Sequence, residues 1–236
     1  MVTVIIAHKD YNDYLKSAVN SCITQTIPVN YVVIDDGSKE PPEPPDWPIT
    51  KDGDYRVYEL DSNKFIYLKE SVGPSMARNV GILESWAYST HFQILDADDY
   101  MLPNKCEVLL KNFDNNTGIV YADYFIESDE IRKMEFKIPY TQQELIQHCI
   151  VHSGSMFCKK VLQMVCENNC FYDPQLRVAE DYDLFLRCSE KMMIKHVPEF
   201  LTVVREHTLN STHSVQNNIW QSCLSRVHQK RHIRNA

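Results

Sequence analysis

The chain has 236 residues, 44% of them hydrophobic and 24% charged, which is enough for one α/β core and close to the average of globular proteins. This composition excludes intrinsic disorder and a collagen-like chain, and no apolar stretch reaches the length needed to span a bilayer. A net charge of -8 argues against a nucleic-acid partner, because nonspecific binding needs a basic footprint.

The run from Val2 to Ala7 is β-branched and apolar, without a basic leader or a small-residue cleavage site, so it predicts a buried strand rather than a signal peptide. A cytoplasmic chain is expected. The eight cysteines, which form no CxxC pair, fit reduced thiols, and the sequons at Asn115 and Asn210 are given no role. From Tyr11 to Thr26 the positions Leu15, Ala18, Val19, Cys22 and Ile23 follow helical spacing, and Tyr31 to Ile34 is the next strand. Prolines 41, 42, 44, 45 and 48 forbid regular structure, so 40–53 is expected to be a loop. Strands at 55–60 and 65–68, a helix over 74–88 with Pro74 in its first turn, and a strand at 92–95 complete a βα alternation typical of parallel sheets. Helices at 103–113 and 142–150, a strand at 119–125, a helix at 180–190, a strand at 201–205 and a terminal helix over 215–232 follow, less regularly spaced.

No glycine precedes Gly37, which excludes both the GxGxxG turn and the Walker A loop after the first strand. A sugar nucleotidyltransferase would also need a glycine-rich loop there. The strand at 92–95 runs instead into Asp96-Ala97-Asp98-Asp99, three carboxylates at a strand's C-terminal end, where open α/β sheets bind ligands. Hard oxygen ligands of this kind suit Mn²⁺ or Mg²⁺ shared between protein and substrate phosphates. The bland alternative is a solvated acidic turn capping the next helix. His148, Cys149, His152 and Cys158 lack the frame of a zinc site.

Several further motifs lie in fixed order: Asp35-Asp36-Gly37-Ser38, Gly73 to Gly81 with Ala77-Arg78-Asn79 inside it, the DxDD run followed by Pro103, Glu180-Asp181-Tyr182-Asp183-Leu184, and Arg205-Glu206-His207. With Gln25-Thr26 at the end of the first helix, the ordered set resembles the family-2 glycosyltransferases over nearly the whole chain. That resemblance implies a GT-A fold: α/β, a mostly parallel central sheet flanked by helices, with one domain over 1–213 and an amphipathic basic helix over 214–236. It implies an inverting transfer of a sugar from a nucleotide-diphosphate donor, most commonly UDP-linked, to a hydroxyl of a glycan, lipid-linked or protein-linked acceptor. The rival readings are a noncatalytic sugar-nucleotide-binding module, which has no need of a base, and a sugar nucleotidyltransferase.

Carried over residue by residue, the family's donor-binding positions fall on Ala7, Asp35, Asp36, Arg78, Asp96, Ala97 and Asp98. Asp36 would hydrogen-bond the base, with Asp35 either assisting or orienting the turn. Arg78 would contact the base or a phosphate, its structural alternative being a salt bridge to Asp35 or Asp36. Asp98 would hold the metal, with Asp96 facing the ribose or a metal-bound water, and His207 would close the donor site by reaching the metal or the diphosphate. Asp181 resembles the family's catalytic base, while Glu180, Asp99 and His213 are acceptor-side or accessory candidates. The chain departs from the family after its first strand: where relatives read Pro-x-Tyr-Asn, it has Ala7-His8-Lys9-Asp10, with Tyr11 one position beyond.

The tail is charge-asymmetric. From Arg205 onward, Arg205, Arg226, Lys230, Arg231 and Arg234 face only Glu206, which gives 5 − 1 = +4. Ile219, Trp220, Cys223, Leu224 and Val227 form a helical stripe, so this helix is expected to pack through them. Its basic end is then either a solvated helix terminus, a peripheral contact with anionic lipid, or a link to a following domain.

Overall fold

Alternation along the strands sorts the apolar side chains into two cores on opposite faces of one sheet. In β1 (Val2–His8), Ile5 belongs to one core and Val4 and Ile6 to the other; in β2 (Val29–Asp35), Val32 and Ile34 oppose Tyr31 and Val33. β6 (His91–Asp96) divides in the same way, Phe92 and Ile94 against Leu95. The first core is closed by α2 (Pro74–Glu84), α5 (Lys159–Val165), α6 (Glu180–Ser189) and α7 (Asn217–Arg234), and the second by α1 (Asn12–Ile23) and α3 (Lys105–Lys111). The computed structural model describes residues 1–128, 131–207 and 215–234.

The remaining strands are β3 (Ile49–Asp52), β4 (Tyr55–Leu60), β5 (Asn63–Leu68), β7 (Tyr100–Met101), β8 (Thr117–Ser128), β9 (Ile131–Glu135), β10 (Met156–Cys158) and β11 (Met193–Arg205). They join in the order β3-β4-β5-β2-β1-β6-β10-β8-β11-β7, with β9 paired to β8. The α/β class and the helix-flanked central sheet are as expected. The sheet is parallel through β5-β2-β1-β6 and again at β8-β11, and antiparallel at its other pairings.

Three differences from the expected elements have local causes. The proline-rich excursion ends in β3, which pairs antiparallel with β4 once Pro48 has been passed. β11 starts eight residues before the expected strand, at Met193, and its pairing with β8 is irregular between Val197 and Phe200, where Pro198 cannot donate a ladder hydrogen bond. α4 (Gln142–Gln147) is short and starts on Thr141, whose side chain accepts the Glu144 N–H.

α7 docks on the domain as its stripe predicts, with Cys223 and Val227 buried and Ile219, Trp220 and Leu224 partly covered. Three of its cations meet acids of the same chain: Arg226 and Lys230 reach Asp173 at 3.4 and 2.9 Å, Lys230 also reaches Asp183 at 3.0 Å, and Arg234 reaches Glu190 at 3.1 Å. Among the described residues, no helix is long and apolar enough to cross a membrane.

Candidate active site

Parallel pairing delivers the first site residues to one edge. Ala7 lies opposite both Ile34 and Asp96, and His8 opposite Asp35, so the C-terminal ends of β1, β2 and β6 are level. At β2 the two aspartates take different partners. Asp35 lies 3.1 Å from His8 Nδ1 and accepts from the Ser38 hydroxyl, while His8 Nε2 accepts the Tyr11 N–H at 3.2 Å, which places the imidazole proton on Nδ1. Burial would raise the Asp35 pKa, but the His8 and Ser38 hydrogen bonds outweigh it and hold it below the usual carboxylate value. Asp36 accepts the N–H groups of Val72 and Gly73 at 2.7 and 3.0 Å and the Ser71 hydroxyl at 2.8 Å. It thereby ties the β2 end to the start of α2. Both turns rely on glycine: Gly37 and Gly73 have φ of +62° and +89°, and a Cβ on Gly37 would stand 2.7 Å from the Ser71 nitrogen.

The acidic loop after β6 is held from two directions. Gln25 donates to the Leu102 carbonyl at 2.9 Å and accepts the Cys106 N–H at 2.9 Å, so the motif residue at the end of α1 has a structural role and joins that end to the start of α3. Arg205 donates its backbone N–H to Asp99 at 3.0 Å and its guanidinium to the Asp98 carbonyl at 3.1 Å. Asp99 is 5% exposed, and burial together with the charges of Asp96 and Asp98 pushes its pKa well up. Ala97 is buried in the second core, so its side chain supports the loop from beneath. Asp98 lies 3.2 Å from His207 Nε2, and His207 stacks on Tyr14 at 4.6 Å with Tyr11 edge-on at 5.6 Å. Tyr11, shifted by one position, therefore packs on the histidine of the metal candidate pair. Burial and then the Asp96 charge raise the Asp98 pKa.

Arg78 links this loop to the far side of the site. Its side chain is 10% exposed and reaches Glu180 at 2.6 Å and Asp96 at 2.9 Å, whereas the structural alternative to a donor contact had named Asp35 or Asp36 as its acidic partners. That expectation is corrected: Asp35 and Asp36 are satisfied by His8, Ser38 and the 71–73 turn, and α2 aims Arg78 at β6 and α6 instead. Burial opposes ionisation of Asp96, but Arg78 wins and lowers its pKa. The other Asp96 oxygen accepts the Ser153 hydroxyl at 3.2 Å.

Asp181 stands in the first turn of α6, which is preceded by Ala179, held at φ 60° in the left-handed region that a residue with a Cβ seldom adopts. Burial and then the Glu180 charge raise the Asp181 pKa to about 7, with Arg78 pulling the other way. A carboxyl poised near neutrality is suited to taking a proton from a hydroxyl. Asp96, Arg78 and Glu180 thus form one connected cluster with Asp181 beside it, Asp98 and His207 form a second, and Asp35 and Asp36 stand apart at β2. His213 lies outside the described residues.

Sequence reasoning missed Tyr14, Ser153 and Lys105. Lys105 is 1% exposed and donates to the Gly154 carbonyl at 2.8 Å and the Thr202 hydroxyl at 2.7 Å, while burial lowers its pKa to about 8. Tyr14 could have been found, since it follows Tyr11 by one helical turn. Ser153 and Lys105 carry no local signal.

Among the described residues, no three acids, histidines or cysteines converge as a ready-made metal cage. Asp98 and His207 nevertheless offer an adjacent carboxylate oxygen and imidazole nitrogen 3.2 Å apart, a donor pair that fits a divalent cation completed by substrate phosphates.

A parallel-centred α/β sheet, with carboxylates at its C-terminal edge and a near-neutral aspartate facing them from a helix start, defines a GT-A-type glycosyltransferase scaffold. Residues 3–175 match the glycosyl transferase family 2, and the chain belongs to that family. It is 25% identical over 230 residues to the succinoglycan biosynthesis protein ExoU of Rhizobium meliloti, covering 90% of this chain and 64% of that one. It is 24% identical over 207 residues to the chondroitin synthase of Pasteurella multocida, covering 84% of this chain and 20% of that one. Among solved structures, TarS 1–349 of S. aureus in complex with UDP-GlcNAc superposes with a TM-score of 0.67 at 15% identity, covering 91% of this chain and 61% of that one. The mannosyltransferase PcManGT from Pyrobaculum calidifontis, in complex with GDP-Man and Mn²⁺, superposes with a TM-score of 0.60 at 14% identity, covering 90% and 59%. The chain spans about three fifths of the length of these solved structures.

Proposed function

We propose that the chain is an inverting glycosyltransferase that moves a sugar from a nucleotide diphosphate, UDP in the first instance, to an acceptor hydroxyl. The observation that carries this reading is the Asp96–Arg78–Glu180 bridge, which ties the acidic strand end to the helix turn bearing a carboxyl of pKa about 7. Asp181 takes the proton of the attacking hydroxyl, and in-line attack opposite the leaving diphosphate inverts the anomeric carbon. Asp98 and His207 would hold Mn²⁺ or Mg²⁺, which supplies positive charge where the departing diphosphate becomes more negative. Asp35 and Asp36 shape the turn against which the base is read. The acceptor is a glycan or lipid-linked saccharide, and the family relatives named for polysaccharide products support that choice. A reducing, cytoplasmic setting belongs to the same reading, since the eight cysteines are scattered in the sequence without a CxxC pair.

Incubation with nucleotide sugars and Mn²⁺ tests the reading against its rivals. Release of nucleoside diphosphate with a glycosylated acceptor is expected. Pyrophosphate release would reassign the chain to nucleotidyl transfer, and binding without turnover would make it a noncatalytic sugar-nucleotide-binding module.

A further inference from the structure

The segment between α4 and β10 is brought to the acidic edge by the sheet itself. β10 runs antiparallel to β6 with Met156 opposite Gln93, and Ile94 donates its N–H to the Ser155 carbonyl at 3.2 Å, so residues 151–155 border the end of β6. Three side-chain hydrogen bonds pin this segment: Lys105 and Gln93 both donate to the Gly154 carbonyl, and Ser153 donates to Asp96. Between Val151 and Ser153 sits His152, half-buried, with its ring against Tyr124 at 4.3 Å.

The His152 ring is oriented as well as placed. Its Nδ1 accepts the Gly154 N–H at 3.1 Å, which leaves the proton on Nε2. Nε2 has no partner among the described residues, so a fixed N–H donor with nothing to donate to stands next in sequence to Ser153, which itself reaches Asp96. Burial, reinforced by Lys105 and Lys137 and opposed by Asp96, pushes the ring's pKa down to about 3, which keeps it a neutral donor.

We propose that His152 is a specificity-determining residue of the donor site, its Nε2–H donating to an oxygen of the transferred sugar. The proposal rests on the donor reading above. That reading puts the base at the β2 end and the diphosphate at the acidic loop after β6. The strand order β2-β1-β6-β10, at ~4.8 Å per strand, then carries the sugar toward β10 and the 151–155 segment. A donor built to meet a sugar oxygen discriminates against sugars that lack it, because its own N–H is then left unmatched.

His152→Phe keeps the ring against Tyr124 and removes the donor, while His152→Gln restores an N–H at similar reach. Calorimetry with UDP and Mn²⁺, with steady-state donor kinetics on UDP-GlcNAc and UDP-glucose, reads the contact. His152→Phe is expected to bind UDP within about twofold of wild type and to lose about tenfold in kcat/KM for the preferred UDP-sugar through KM, with His152→Gln recovering most of the loss. Unchanged kinetics in His152→Phe, or an equal loss of UDP and UDP-sugar affinity, would overturn the proposal. If the phenyl ring prevents folding, His152→Leu, which also removes the donor, decides in its place: a loss of at least about threefold in kcat/KM for the preferred UDP-sugar at unchanged UDP affinity supports the contact, and unchanged kinetics overturn it. Wild type that binds neither nucleotide sugar nor GDP-mannose removes the donor reading and this proposal together, whereas normal wild-type binding with an indifferent His152→Phe removes this proposal only.

Discussion

The first hundred residues and the remainder of the chain build their halves of the site by different means. In the first, each parallel strand ends at the same edge, so Ala7, Asp35 and Asp96 arrive there by register alone. In the second, His207, Ser153 and Asp181 arrive from a long strand, a pinned loop and a helix start, each placed by contacts across fifty or more residues of sequence. The halves meet at Arg78, whose cation lies between a carboxylate from each. The strand-end residues of the first half thus rest on local repetition, while the placement of Asp181, Ser153 and His207 depends on tertiary packing and should be the more easily damaged.

The largest effect is expected at the base. Asp181→Asn is nearly isosteric and cannot take the proton, so transfer should fall by ~10²–10⁴-fold while UDP affinity stays put. Normal turnover would move the role to Glu180 or Asp183. At the junction, Arg78→Met leaves two poorly exposed carboxylates facing each other without their cation, and denaturant unfolding should show a loss of about 3–5 kcal/mol. A loss below 1 kcal/mol would mean that the two halves are joined by packing rather than by charge. On the donor side, Asp98→Ala should abolish the gain in UDP affinity that Mn²⁺ brings, measured calorimetrically with and without the ion. Identical curves for the two proteins would remove Asp98 from metal binding.

The pH dependence separates the halves further. As the proposed base Asp181 must be deprotonated, so kcat/KM should rise through an apparent pKa near 7 and then level off, and the Asp181→Asn remnant should lack that limb. The sign for stability is the reverse of the usual carboxylate case. A folded pKa of about 7 above an ordinary value of 3.8 means that the folded state holds the proton more tightly, so this contribution is fully present below pH 3.8 and is lost as pH rises through 7. A thermal-melt series comparing wild type with Asp181→Asn isolates it. The smallest effect belongs to α7, where Arg226→Ala breaks a half-exposed pair and should cost no more than about 1 kcal/mol. With Arg226, Lys230 and Arg234 engaged by Asp173, Asp183 and Glu190, cosedimentation with anionic vesicles at low salt should be weak. Strong, salt-sensitive binding would restore the lipid-contact reading of the tail.

How much was legible in advance varied along the chain. The βα alternation, the stripe on α7 and the acidic strand end at Asp96 could be read because strand and helix periodicities are local. The pairing of His207 with Asp98 followed only from family resemblance, since 109 residues separate the two. β3 was hidden by the prolines before it, β10 and α5 by their brevity, and the partners of Arg78 by the fact that a helix residue's spacing fixes its face but not what lies opposite that face.

Sequence by itself determined which residues could do chemistry: carboxylates after apolar runs, glycines at the turns with positive φ, and an acidic first turn on α6, each set by hydrophobic periodicity or backbone sterics within a few positions. Tertiary structure alone decided which of them act together. Arg78 bridges Asp96 and Glu180, Asp36 ties down a turn, Lys105 props the segment bearing Ser153, and His152 is left with one N–H to give. The physical reason is that charge interactions and hydrogen bonds act over a few ångströms of space, and the sheet order that sets those distances is settled only when the two cores pack.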